Sequence, residues 1–345
     1  MLLWHSCAKT AHQAQIFQNL KGGFKMTTQT KSLALVAFAI VMSGCGGGSS
    51  TPSPAPAGPQ TWQLVAGGST QQEALQSLSF YSSSLTIDAG DTVTWAFPAG
   101  EAHTVTFLGP RATPPPPSDP TAAAPAGGST YDGTAYTSSG FVLLGKTYAL
   151  TFPTPGTYKY YCLLHGASGM VGTIVVQNAG AAYPMTQNSI TSSTQTQMQT
   201  DLTLALGAVS QFPYAPGGPH VAAGMSPGLL QGAPSSVTVL RFLNGGDLSK
   251  TSVTVAVGAT VSWTNLSTNE PHTVTFGPAG MPFPTMSPFS PPSGGTTYDG
   301  STLVNSGVMT PGTTFSLTFT KAGSYTYHCL FHDDTENMIG TVVVQ

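Results

Sequence analysis

The chain contains the same long block twice, and this duplication constrains its fold more than any other feature. A repeat of this length is too long for a solenoid of small stacked units. It predicts two similar domains, at 60–178 and 236–345, separated by a linker at 179–235. The matching segments are 84–107 with 252–276, and 127–177 with 294–345.

Each copy consists of short segments in which apolar and polar residues alternate, such as "TVTW", "HTVTF" and "GTIVVQ", separated by glycine and proline turns. Alternation of apolar and polar residues is typical of strands, and no long helical pattern interrupts it inside either copy. The sequence therefore predicts an all-β chain of two tandem Greek-key β-sandwich domains. Within the linker, residues 201–210 fit either a short strand or a helix.

The N-terminus has the pattern of an export signal. A basic leader at 26–31 precedes ten apolar residues at 33–42, a run too short to span a bilayer. The following "SGCGGG" resembles a bacterial lipoprotein processing site, with Cys45 as the lipidated residue. An ordinary secretory signal with an incidental cysteine is the alternative.

These observations divide the N-terminal part into a leader and lipoprotein signal segment at 1–44 and a Pro/Ser/Gly-rich tether at 45–59. They predict a protein of the bacterial cell envelope, on the periplasmic or extracellular face, held to a membrane by its lipid. Beyond Cys45 the chain keeps six basic residues against all 13 acidic ones, a net charge of −7. With no basic patch, nucleic acid is excluded as a partner.

Only two cysteines remain after Cys45, and each lies at the same place in a separate repeat. A disulfide between Cys162 and Cys329 is therefore not expected, although exported proteins usually pair their cysteines. Strand alternation turns each cysteine toward the interior, together with His103 in the first copy and His272 in the second.

The loop after each cysteine adds a second histidine and a methionine. "YCLLHGASGM" supplies His165 and Met170, and "HCLFHDDTENM" supplies His332 and Met338. One thiolate, two imidazoles and a thioether favour copper over calcium or magnesium and form a blue-copper ligand set, whereas structural zinc sites generally use more cysteines. The sequence thus predicts two type 1 copper ions per chain.

At this point each repeat resembles the cupredoxins, closest to the plastocyanin and halocyanin group. The resemblance rests on "GDTVTW", "HTVTF", "PGTYKYYCLLHGASGM" and "GTIVVQ", and it covers nearly all of 80–178 and 236–345. It implies electron transfer, and it implies that electrons enter at the ring edge of the second histidine of each site. The implied copper ligands are His103, Cys162, His165 and Met170, and His272, Cys329, His332 and Met338.

Two departures from that group stand out. The first histidine is followed by Thr104 or Thr273, where the group commonly has an asparagine that supports the cysteine loop. The second copy also has one more residue between His332 and Met338, and its loop carries three acidic side chains. Negative charge favours Cu(II), so a lower potential is predicted for the second site. The acidic loop could also steer a basic redox partner such as a cytochrome.

Three other functions are compatible with parts of the sequence. A two-domain copper oxidoreductase, similar to nitrite reductases, needs further histidines, but only His220 and His328 are spare, which allows at most a type 2 copper at an interface. Copper delivery or storage would suit Met281 and Met286. Metal-free structural domains are the third alternative. The sequence favours a non-enzymatic electron carrier.

Overall fold

The computed structural model describes residues 58–116, 119, 124–230, 234–283 and 285–345, which all fall in a single compact unit. In the first repeat the strands are β1 (Thr61–Thr70), β2 (Leu75–Tyr81), β3 (Ser84–Asp88), β4 (Thr92–Ala96), β5 (Thr106–Phe107), β6 (Thr137–Ser138), β7 (Thr147–Thr151), β8 (Gly156–Tyr161) and β9 (Val171–Gln177). The leader, Cys45 and most of the predicted tether lie outside the described residues.

Helix α1 (Gln187–Val209) follows the first repeat. The later strands are β10 (His220–Met225), β11 (Val237–Leu243), β12 (Ser252–Val255), β13 (Thr260–Leu266), β14 (Thr275–Phe276), β15 (Thr297–Tyr298), β16 (Val304–Asn305), β17 (Thr314–Phe319), β18 (Gly323–His328) and β19 (Ile339–Val344). The predicted all-β class with two tandem sandwich domains is confirmed.

Three sheets build the two sandwiches. One five-stranded sheet, β3-β9-β8-β5-β6, belongs to the first repeat, and its counterpart, β12-β19-β18-β14-β16, belongs to the second. The opposing layer is a single nine-stranded sheet that runs through both repeats in the order β15-β17-β13-β10-β11-β2-β1-β4-β7. The two domains therefore share one sheet.

The shared sheet is joined where β2 pairs antiparallel with β11. Val237 lies opposite Ser77 and Val239 lies opposite Leu75 in this pairing. Both strands are completely buried or nearly so, as expected where each sheet face is covered. The join fixes the two domains against each other and brings one end of each sandwich to a common interface.

Two elements of the predicted linker adjoin this join. Strand β10 lies within 179–235 and pairs parallel with β13 of the second repeat. Helix α1 covers residues 201–209, whose sequence fits either a strand or a helix. Its polar first half begins with a capping box, in which Thr186 accepts from the Ser189 amide at 3.2 Å.

Burial of its second half stabilises α1 against the join. Leu202, Ala205 and Val209 pack with buried residues of β2, β10 and β11 in a third core. The other two cores fill the two sandwiches, and each contains the cysteine and the loop methionine of its repeat. Within the described ranges, no helix has the combined length and apolarity needed to cross a membrane.

Candidate metal centres

The first repeat brings one sulfur and two ring nitrogens together. Sγ of Cys162 lies 3.4 Å from Nδ1 of His165 and 3.9 Å from Nδ1 of His103. The two Nδ1 atoms are 3.0 Å apart. Each of these residues is at most 1% exposed, so the three donors enclose a dry point that suits one ion with a thiolate and two imidazole ligands.

The second repeat forms the same cluster. Sγ of Cys329 lies 3.4 Å from Nδ1 of His332 and 3.7 Å from Nδ1 of His272. The histidine rings are 5.0 Å apart between centroids, against 4.9 Å in the first repeat. Cys162 and Cys329 are both free and buried. The donor chemistry of both clusters fits copper.

The elements of the sandwich explain how each cluster forms. The first histidine precedes a two-residue strand, β5 or β14, and the cysteine directly follows β8 or β18. These strands pair antiparallel, which places the histidine and the cysteine at the same end of the sandwich. The second histidine comes from the turn that leaves this end.

Threonine supports the cysteine loop in both repeats. Oγ1 of Thr104 accepts a 2.8 Å hydrogen bond from the Leu163 amide, and Oγ1 of Thr273 accepts an equal bond from the Leu330 amide. The Thr104 amide also lies 3.4 Å from Sγ of Cys162. Both threonines are fully buried. The departure from asparagine therefore leaves the loop with a side-chain acceptor.

The longer second loop keeps the methionine in place. The Met170 amide donates to the His165 carbonyl at 3.1 Å, and the Met338 amide donates to the His332 carbonyl at 2.8 Å. A residue with positive φ precedes each methionine, Gly169 in the first loop and Asn337 in the second. Both methionines are fully buried. The extra residue therefore changes the loop's outer part and leaves its backbone anchor intact.

The loop histidines meet across the domain interface. His165 is 1% exposed and His332 is 5% exposed. Nε2 of His165 lies 3.2 Å from Oε1 of Glu270, a residue of the second repeat. Both rings are almost completely shielded from solvent, so the expected point at which electrons enter is closed in this structure.

A second carboxylate, Glu101, lies between the two rings. Its Oε1 is 3.7 Å from Nε2 of His165, and its Oε2 is 3.7 Å from Nε2 of His332. Sequence reasoning missed both acids, although the duplication contained the signal. "GEAHTVTF" and "NEPHTVTF" each place a glutamate two residues before the first histidine.

Neighbouring charges shift the pKa values of Cys162 and His165 in the first site. Burial opposes ionisation of both partners, but the His165 imidazolium holds the pKa of the Cys162 thiol well below its ordinary value. Burial likewise opposes charging of His165, yet the Cys162 thiolate and Glu270 raise the pKa of that imidazole well above its usual range.

Burial dominates in the second site. It raises the pKa of the Cys329 thiol to about 12 and lowers the pKa of His332 to about 4. The charge of Glu270 opposes the lowering of the His332 pKa but does not overcome burial. Metal binding requires a thiolate, so loading this site displaces the Cys329 proton.

Two glycines on the shared sheet make room for the first histidines, and the sequence reasoning did not single them out. Gly67 and Gly224 have φ of +75° and +71°, and a Cβ on either would overlap Nε2 of the nearby histidine. The rings differ in one partner. Nε2 of His272 is 2.9 Å from Oγ of Ser267, whereas Nε2 of His103 has no partner among the described residues.

The spare histidines lie apart from both clusters. His220 is exposed at the start of β10. His328 stacks on Phe283 with centroids 3.8 Å apart, and its Nδ1 is 3.3 Å from Oδ2 of Asp333. Met281 is 66% exposed. Cys45 lies outside the described residues.

Comparison with known proteins agrees with this geometry. The family profile described as copper binding proteins, plastocyanin/azurin family, matches residues 67–177 and 244–345. Plastocyanin of Scenedesmus fuscus is 35% identical over 100 residues, which are 29% of this chain and 88% of that protein. Plastocyanin of Rumex obtusifolius is 33% identical over 103 residues, covering 29% and 89%.

Solved structures give a weaker comparison. An oxidised plastocyanin from Dryopteris crassirhizoma is 24% identical over 33% of this chain and 99% of its own, with a TM-score of 0.23. A Cu(I) form of an amicyanin mutant is 26% identical over 28% of this chain and 70% of its own, with a TM-score of 0.20. Scores this low carry no argument.

Proposed function

We propose, from the premise that the chain belongs to the plastocyanin/azurin family of copper-binding proteins, that it transfers single electrons through two type 1 copper centres. The observation that carries the proposal is the duplicated cluster of one thiol and two imidazoles, each buried at one end of a sandwich. The copper ligands would be His103, Cys162, His165 and Met170 in the first centre, and His272, Cys329, His332 and Met338 in the second.

Copper would supply a one-electron couple, and the chain would supply a ligand set that changes little between the two oxidation states. The Thr104 and Thr273 hydroxyls support the cysteine loops through the Leu163 and Leu330 amides. Complete burial keeps water from the thiolates. A fixed, dry ligand set keeps the reorganisation that accompanies each electron small.

An electron carrier fits the described residues better than an enzyme. A catalytic copper needs protein ligands and an open position for substrate. His220 and His328 belong to none of the clusters of close metal-ligating atoms in the described residues. No catalytic residue is therefore assigned, and a nitrite reductase-like type 2 site has no support from these positions.

We further propose that Cys45 carries a lipid that holds the chain in the bacterial cell envelope, on the periplasmic or extracellular face, where it exchanges electrons with a protein such as a cytochrome. Asp334 is exposed on the second loop and adds to a negative surface there. Labelling of the full chain with a radioactive fatty acid tests the anchor. Label that persists in Cys45→Ala would contradict it.

The copper proposal is tested by loading the full chain with Cu(II) and measuring copper per chain, visible absorption and EPR. Two coppers with intense thiolate-to-copper absorption and narrow hyperfine splitting are expected. Cys162→Ser and Cys329→Ser should each remove one centre. A type 2 EPR signal with nitrite or oxygen turnover would favour the enzyme, and colourless protein that holds only Cu(I) would favour delivery.

A further inference from the structure

The carboxylates of Glu101 and Glu270 lie between the two metal clusters rather than beside one of them. Glu101 directs one oxygen toward His165 and the other toward His332, each at 3.7 Å from Nε2. Glu270 approaches His165 at 3.2 Å from the opposite repeat. One carboxylate therefore spans the gap between a ligand of the first cluster and a ligand of the second.

The nitrogen that faces each acid is the one not used at the cluster. In both loop histidines Nδ1 faces the cysteine sulfur and Nε2 faces the carboxylates. A metal-ligating histidine usually donates its other N–H to a carboxylate, which fixes the ring and strengthens it as a ligand. Glu270 lies within reach of this proton on a histidine of the other repeat, at 3.2 Å, whereas Glu101 approaches both rings only as an ion-pair partner, at 3.7 Å.

Other contacts hold the acids in position. The Glu101 amide donates to Oε1 of Gln76 at 3.3 Å, and the Glu270 carbonyl accepts from Asn265 at 2.8 Å. Asn269, next to Glu270, donates to the Ser168 hydroxyl on the first loop. The first loop is thus tied to the loop after β13, which carries the second repeat's acid.

Burying two neighbouring carboxylates is costly unless positive charge opposes them. Glu101 is 8% exposed and Glu270 is 5% exposed. Oε2 of Glu101 and Oε1 of Glu270 have no hydrogen-bond partner among the described residues, so only the nearby imidazole rings oppose their charge. An oxidised centre, Cu(II) with one thiolate, carries one net positive charge, so two such centres balance two carboxylates.

We propose, on the basis of the function proposed above, that Glu101 and Glu270 are positioning residues that couple the two centres into one redox unit through His165 and His332. One centre loses an electron as the other gains it, while no bond is made or broken and the Nε2 protons stay on their rings. Because the acids favour the oxidised state, each sets the potential of the centre in the opposite repeat as well as its own.

Potentials of single-centre chains test the cross-repeat effect. Glu270→Gln should raise the potential of the first centre in a chain that also carries Cys329→Ser. Glu101→Gln should raise the potential of the second centre in a chain that also carries Cys162→Ser. Asp132→Asn and Asp299→Asn, at fully exposed acids of the two repeats, are matched controls that should leave both potentials unchanged.

Internal exchange is measured in the full chain with both coppers, after a pulse that delivers one electron. Glu101→Gln should slow equilibration between the centres about tenfold or more. Glu101→Asp retains the charge but withdraws the contact, so it should slow exchange while shifting the potentials less. This second variant keeps the test open if the glutamine variant does not fold.

Different results would contradict the coupling of the two centres and the proposed copper function. Two intense thiolate-to-copper bands with unchanged potentials and exchange in the glutamate variants would overturn the coupling alone. A third metal ion per chain that is lost in Glu101→Gln would also overturn it, because the acids would then be ligands. Absence of thiolate-to-copper absorption in the unmodified chain would overturn both proposals.

Discussion

Gly67 lies so close to His103 that a single added carbon would overlap the histidine's Nε2 atom. Gly67 occupies a register shift between β1 and β2, with φ of +75°, and the ring fills the space that a side chain would take. Gly224 has the same relation to His272 in the second repeat. A strand of the shared sheet thus defines the position of a metal ligand.

Gly67→Ala should therefore displace His103 and abolish the first centre's thiolate-to-copper absorption while the second centre remains. The positive φ adds strain of about 1–2 kcal/mol. Gly145→Ala is the matched control, since its φ is +77° and nothing lies within 4 Å of its added Cβ. Copper content and visible absorption are measured for both variants. Equal spectra for Gly67→Ala and Gly145→Ala would contradict the steric argument.

Thr104→Val should destabilise the first cysteine loop. The variant leaves the buried Leu163 amide without its 2.8 Å acceptor, which costs about 1–3 kcal/mol. Thermal unfolding of the metal-free chain measures the loss, and Thr104→Ser should recover most of it because it keeps the hydroxyl. A valine variant as stable as the serine variant would show that the bond is dispensable.

Local patterns predicted most of each metal cluster, because the ligands follow strand alternation and short spacing. His103 and Cys162 lie inward just outside strands β5 and β8, and His165 follows Cys162 by three residues. The same patterns did not predict the pairing of β2 with β11, which buries both strands at the domain join. The alternation within a strand shows which face is buried, but it does not specify which distant strand lies beside it.

The pairing of β2 with β11 explains why both loop histidines are buried, although the sequence predicts that electrons enter at their ring edges. A single repeat, considered alone, leaves its loop histidine at an open end of the sandwich, where a redox partner could reach it. The shared sheet instead brings His165 and His332 toward each other and buries both. Glu101 and Glu270 were conspicuous only in the duplicated Glu-x-His pattern, and their role depends on the interface.

Ser267→Ala should weaken the second centre selectively. The Ser267 hydroxyl is 2.9 Å from Nε2 of His272 and orients that ring for binding through Nδ1. Loss of such a partner lowers metal affinity about 10- to 100-fold. Competition with a copper chelator measures the affinity of each centre in the Cys→Ser chains. Ser262→Ala, which removes a hydroxyl bonded to Ser316 outside the site, should have no effect.

The second centre should have the lower reduction potential. The loop of the second centre contains Asp333 and Asp334, whereas the corresponding loop of the first centre has no acidic residue. Negative charge stabilises Cu(II) over Cu(I). Redox titration of Cys162→Ser and Cys329→Ser chains compares the centres one at a time. Asp333→Asn with Asp334→Asn should narrow the difference. Equal potentials, or a higher potential at the second centre, would contradict this prediction.

Glu336 should make stability depend on pH. This side chain is 3% exposed and lies beside Gly100 of the first repeat, where an added Cβ would be 2.7 Å from its Oε1. Burial chiefly raises its pKa to about 7, and the charges of Glu73 and Asp334 add to the shift. Arg241 donates to the Glu336 carbonyl, so the loop is held at the interface in either state.

Because the folded chain binds this proton more tightly than the unfolded chain, stability contributed by protonated Glu336 is complete below the unfolded pKa and is lost as pH rises through 7. Glu336→Gln should therefore raise the unfolding free energy of the metal-free chain at pH 8 by about 1–3 kcal/mol relative to its effect at pH 4. Unfolding in urea at several pH values measures this difference. Asp132→Asn, at an exposed acid of the first repeat, is the control, and an equal pH profile for both variants would contradict the buried-acid argument.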